Sequence, residues 1–191
     1  MGFVQNIKLK AGEYFLKKES AGIERAKAIM NLKDAKTVGI LYDASNINDT
    51  DLVKKYIAYL RDSGKKVKSI GYLAVKELPN TIQISLDQQC LTLKEVNWYY
   101  KPAISFIGNF VKEEYDLLLD LNISRQLPLT YIAALSKAKC KVGRFTNKYM
   151  NLYDVMIEVD KEKTMKYFLQ NVDIYMEMLN KGSNANRVKQ A

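Results

Sequence analysis

Residues 115–143 read YDLLLDLNISRQLPLTYIAALSKAKCKVG. An apolar strand closing on an acid (115–120) runs through a polar turn (121–126) into a helix opened by Pro128 (128–137), then into a second short strand (141–143). Strand, crossover helix and strand make the unit from which parallel sheets are built, and such sheets gather binding groups on the loops that follow their strands. The fold class expected is therefore α/β, a three-layer Rossmann-like domain with a mainly parallel sheet.

The pattern extends outward in both directions. Upstream, TVGILY (37–42) is a short apolar run between polar flanks, as a buried first strand should be. Capping residues at 48–51 then open an amphipathic helix carrying Leu52, Val53, Tyr56, Ile57 and Leu60, which Gly64 ends, and a second strand follows at 67–75. Residues 76–105 share no single period. Ile82 to Leu86 and Val96 to Tyr100 read as short strands or extended loops, and a short helix is expected at 104–112. Downstream, an edge strand is expected at 153–159, a helix cap at Asp160, and a long closing helix at 161–179 with Met165, Phe168, Leu169, Val172, Tyr175, Met176 and Leu179 on one stripe. That stripe reads as core packing, with a methionine-rich binding groove as the alternative.

Three segments result: a basic helical arm at 1–36, broken at Gly12 and Gly22, the α/β domain at 37–180, and a disordered tail at 181–191. The arm's apolar residues, Tyr14, Phe15, Ile23, Ala26, Ile29 and Met30, are read as packing against the parent domain, a partner-binding or membrane-surface helix being the alternative. With 191 residues the chain has room for one such domain and not for two Rossmann halves. No window approaches the run of about 18 apolar residues that a membrane helix needs, and the N-terminus lacks the features of a signal peptide. Cys90 and Cys140 are read as reduced thiols, and the expected compartment is the cytoplasm.

Chemistry is bounded most sharply by the absence of histidine. Ser-His-Asp and Cys-His catalysis are excluded, zinc and iron-sulfur spacings are missing, and neither strand-end turn contains the glycine that a pyrophosphate needs. No catalytic set, metal or cofactor is assigned, which favours binding over catalysis. Two groups of residues stand as candidate sites. Asp43, Ser45 and Asn46 follow the first strand and Asp120, Asn122, Ser124 and Arg125 follow the central one, so a parallel sheet brings both sets to one rim. There they either bind a small ligand or cap strands and helices. The second group follows from a net charge of +9: Lys137, Lys139, Lys141, Arg144 and Lys148 form a basic run suited to RNA, the ribosome or another anionic surface, or serving only solubility. Trp98, Tyr99 and Tyr100 beside Lys94 and Lys101 offer base stacking or closure of a core edge.

The segment 115–143 also resembles the inner strand-helix-strand of the N-terminal domain of heptosyltransferase-type glycosyltransferases, where a "DLLIDL" strand precedes a helix and a "KxxVG" strand. That resemblance implies a Rossmann-like fold and a rim at Asp120 to Arg125, but the sugar-nucleotide domain of those enzymes has no counterpart here. The chain from 34 to 180 is similar to a short uncharacterised bacterial family sharing "GILYDA", "DLLLDL", the "YIAALSKAK" core and the closing helix, a family with no established activity. The expected function is a non-catalytic binding or adaptor module for RNA or the ribosome. The alternatives are a degenerate glycosyltransferase-like domain holding a small phosphorylated or sugar ligand at the rim, and a structural subunit of a larger assembly.

Overall fold

Thr37–Asp43 forms strand β1, buried at its five central positions, and everything else is arranged around it. The computed structural model describes residues 2–80, 84–159 and 164–179. β1 pairs on one side with β2 (Lys66–Tyr72) and on the other with β4 (Leu117–Leu121), so that Val38 sits between Val67 and Leu117. β3 (Gln88–Leu91) extends the sheet beyond β2, and β5 (Cys140–Arg144) and β6 (Val155–Ile157) extend it beyond β4. All five pairings are parallel and the order is β3-β2-β1-β4-β5-β6, the strand order of a Rossmann fold.

The helices form the outer layers. α2 (Ile47–Asp62) and α5 (Met165–Met178) bury Val53, Tyr56, Ile57, Phe168 and Val172 against the Val38, Ile40 and Leu119 face. On the opposite face α3 (Ile104–Lys112) and α4 (Leu127–Leu135) bury Ile107, Phe110, Leu129 and Ile132 against Leu41, Ile70 and Leu118. α2 stops where expected, at Gly64, whose φ of +81° a residue with a Cβ adopts poorly. The stripe on α5 is core, as its spacing predicts; Tyr175 is the exception and is exposed.

α4 is buried at eight of its nine residues, because α1 (Phe3–Ser20) lies across its outer side. Leu16 packs there with Leu127, Tyr131 and Ala134, and the Tyr131 hydroxyl donates to the Gly12 carbonyl at 2.6 Å. Gly12 does not break this helix, contrary to the reading of the arm. It is the point of closest approach: a Cβ there would stand 2.4 Å from the Tyr99 carbonyl oxygen.

Residues 21–36 depart from expectation in being non-helical. They run as a strap across the sheet's N-terminal edge, where Arg25 pairs with Asp154 through two contacts of 2.7 Å and donates to the carbonyls of Ala138 and Lys139. Both side chains of this pair are nearly enclosed, so the fork is satisfied by protein rather than water. β3 is a second correction. No strand is expected at 88–91, where Gln88 and Gln89 interrupt any apolar pattern, yet an edge strand paired on one side only tolerates such residues. Of the stretches read as strand or loop, residues 84–86 and 96–100 hold no strand beyond isolated bridges at Ser85 and Val96. The edge strand is confined to Val155–Ile157, and α5 is capped by Thr164, which accepts from the Tyr167 backbone N–H. The cap expected at Asp160, the first residues of the closing helix and the tail at 181–191 lie outside the described residues.

Candidate functional site

β1 and β4 are neighbours whose following helices cross to opposite faces of the sheet. This is the topological switch point, where open parallel sheets leave a crevice for ligands. The expected rim residues converge there. Asp43 ends β1 and accepts hydrogen bonds from the Ser124 hydroxyl, from Gln126 Nε2 at 3.1 Å and from the Ser45 backbone N–H at 2.9 Å. Burial pushes the Asp43 carboxyl up, but these bonds outweigh it and hold its pKa below the usual carboxylate value.

The other rim residues are engaged in holding backbone. Asn46 caps α2 by accepting the N–H groups of Asn48 and Asp49. Asn122 exchanges two bonds with the Gln126 backbone, at 2.7 and 3.0 Å, closing the turn before α4. Arg125 adopts a left-handed conformation, φ +58°, and its guanidinium donates to the Phe145 carbonyl. Arg144, expected in the basic run, supports the same turn by donating to the Ile123 carbonyl at 2.9 Å. Beneath the rim Asp120 is buried and accepts from the Tyr153 hydroxyl at 2.5 Å and the Asn122 N–H at 3.1 Å. Burial raises its pKa to about 6, with both bonds working in the opposite direction. Sequence reading missed Gln126 and Tyr153; the one hint was a glutamine, a weak capping residue, where α4 begins. The crevice is thus laced by Asp43, Ser124 and Gln126, with the Asp43 carboxylate accepting from both neighbours.

The basic run does not form one surface. Strand geometry sends successive side chains to opposite faces, and the residues before and after β5 lie at opposite ends of it. Lys137 is exposed, Lys139 pairs with Asp116 at 2.9 Å, and Lys148 pairs with Glu13 on α1. Lys141 is buried at 2% exposure, and among the described residues its ammonium makes one hydrogen bond, to the Ala134 carbonyl at 3.2 Å. The aromatic trio divides as well: Tyr99 stacks against Phe15 of α1 at 4.8 Å and Trp98 is exposed.

Lys141 forms part of the wall of a cleft of about 910 Å³ between α1, the 21–36 strap and residues 147–152. Six cationic residues line it (Lys10, Lys17, Arg25, Lys27, Lys141 and Lys148), and Glu13 is the single acid among the lining residues. Burial lowers the Lys141 pKa to about 7, with Arg25 and Lys27 adding to the effect and Asp154 opposing it. Such an arrangement is unfavourable to a proton and favourable to an anion.

Residues 8–179 match a protein family described as a family of unknown function, DUF6913. The chain belongs to this family. Neither a curated protein nor a solved structure matches it. No helix among the described residues is long and apolar enough to cross a membrane, and no group of three or more metal-binding side chains gathers among them.

Proposed function

We propose that this member of the DUF6913 family is a non-catalytic binding module whose partner is a small anion held in the cleft beneath α1. The observation that supports this reading is the buried, sparsely hydrogen-bonded Lys141 in the wall of a cleft that also presents Lys10, Lys17 and Lys27, Arg25 and Lys148 there being paired with Asp154 and Glu13. An anion entering the cleft would favour the protonated form of Lys141 as well as the charges of Lys10, Lys17 and Lys27, and a cleft of this volume suits a phosphorylated metabolite or an organic acid. RNA or the ribosome is the partner that the net charge alone suggests. Against it stand the dispersal of the 137–148 run and the pairing of Lys139 and Lys148 within the chain.

The glycosyltransferase-like alternative draws on the Rossmann strand order and on the meeting of Asp43, Ser124 and Arg125's loop at the switch point. The Asp43 carboxylate at that crevice favours a sugar's hydroxyls over a phosphate. Calorimetry separates these readings: titrate inorganic phosphate, a sugar phosphate, a neutral sugar and a short RNA into the wild type, Lys141→Met and Ser124→Ala. The cleft reading predicts phosphate binding weakened tenfold or more by Lys141→Met and unchanged by Ser124→Ala. Binding of the neutral sugar that is lost in Ser124→Ala would favour the rim. RNA binding with a steep salt dependence, indifferent to Lys141, would favour the exposed charges.

A further inference from the structure

We propose that Lys141 captures carbonyl compounds: its amine forms a reversible imine with a small aldehyde or ketone that also carries a carboxylate or phosphate, whose charge rests against the surrounding cations. This inference rests on the cleft being the anion site, and it specifies the class of anion.

The geometry supplies three requirements for such a residue. Pairing of β5 with both β4 and β6 fixes the Lys141 backbone, so the side chain has a rigid base. Its nitrogen is tethered at 3.2 Å to the Ala134 carbonyl. A neutral amine bonded in this way has one N–H occupied and keeps its lone pair for attack, whereas an ammonium would leave two of its three donors without an acceptor among the described residues. The charged groups around the cleft are Lys10, Glu13 and Lys17 on α1, Arg25 and Lys27 on the strap, and Lys148 and Asp154 after β5, of which Glu13 is engaged by Lys148 and Asp154 by Arg25. The cations that disfavour the lysine proton are the same groups that would orient an anionic substrate, a combination known to activate amine nucleophiles.

The step balances without oxidant or reductant. The lysine lone pair forms a C–N bond to the carbonyl carbon, the carbonyl oxygen leaves with the two amine protons as water, and hydrolysis reverses the process. With a pKa of about 7 about three quarters of the amine is neutral at pH ~7.5, against roughly a thousandth for an ordinary lysine, so the two kinds of lysine should label very differently.

The test incubates the full chain at pH ~7.5 with pyruvate or with dihydroxyacetone phosphate and cyanoborohydride, which reduces the imine to a stable adduct, followed by peptide mapping. The expected result is one dominant adduct on Lys141, at least tenfold above any exposed lysine, suppressed by inorganic phosphate and absent from Lys141→Arg. Labelling of the wild type across pH gives a readout that needs no variant: its rate should level off just above pH ~7, where an exposed lysine continues to rise towards pH ~10. Adducts spread evenly over surface lysines, or a rate still climbing at high pH, would overturn the inference. Thermal stabilisation by inorganic phosphate without a Lys141 adduct would overturn the imine and leave the anion cleft standing. Absence of both would remove the two together.

Discussion

The switch-point crevice and the cleft beneath α1 are both lined by polar side chains, and they differ in where those side chains spend their hydrogen bonds. At the crevice Asp43, Asn122, Ser124 and Gln126 bond to one another and to nearby backbone, which makes a firm seam between β1 and β4. In the cleft a buried lysine bonds through its side chain to one carbonyl among the described residues, and the like charges of Arg25 and Lys27 act on it together with the opposing charge of Asp154. Buried polar groups are normally satisfied, so it is the under-satisfied site that calls for an external partner. A rim in the conventional location is therefore weaker support for binding than a cationic recess in an unexpected one.

The comparison can be broken at its anchor. Arg25→Met leaves Asp154 buried without its partner and should cost about 3–5 kcal/mol in urea unfolding, while releasing the strap and weakening phosphate binding. A cost below ~1 kcal/mol would mean that the strap is held by something else. The two buried ionisable groups give the next largest effects, with opposite signs. Lys141 has its folded pKa lowered to about 7, so the unfolded chain binds more protons between there and its ordinary value, and stability should rise with pH across that window by up to ~4 kcal/mol. Asp120 has its folded pKa raised to about 6, so stability should rise as pH falls from ~6 towards ~4, by roughly 2–3 kcal/mol. Unfolding curves measured across pH should lose the alkaline rise in Lys141→Met and the acid rise in Asp120→Asn. Gly12→Leu forces a side chain into the Tyr99 carbonyl and Leu127, at a cost of about 1–3 kcal/mol, with faster proteolysis of the α1 segment and an unaltered rim. The smallest effect belongs to the seam: Asp43→Ala should cost about 1 kcal/mol. Because this carboxyl's pKa is lowered, its contribution should be present at neutral pH and vanish as the pH falls through that lowered value.

Strands were legible at 37–42, 67–75, 115–120, 141–143 and 153–159, which leaves β3 as the one that was missed; β1 and β4 were the plainest because each is buried on both faces and reads as a nearly continuous apolar run. β3 was opaque for the opposite reason, since an edge strand can carry Gln88 and Gln89 without leaving a trace of alternation. Convergence of Asp43 with Ser124 was legible from topology alone. The bonds that occupy those side chains were not, because they depend on Gln126 and on a turn held from outside by Arg144. Lys141 looked like one more member of a charged run. β5 directs that lysine towards the Ala134 carbonyl of α4, and the docking of α1 and the strap, which joins residues more than a hundred positions apart, completes the cleft around it.

The cover that α1 provides for α4 has a further consequence during biosynthesis. Phe3–Ser20 leaves the ribosome before Leu127–Leu135 has been translated, and at about 5–20 residues per second the two are separated by roughly 5–20 s. Through that interval Leu16 and its neighbours have no docking surface, and the nascent helix offers an apolar stripe flanked by lysines to whatever waits at the exit tunnel. Native architecture therefore obliges this chain to begin life with a long-delayed contact exposed, a natural target for holding chaperones.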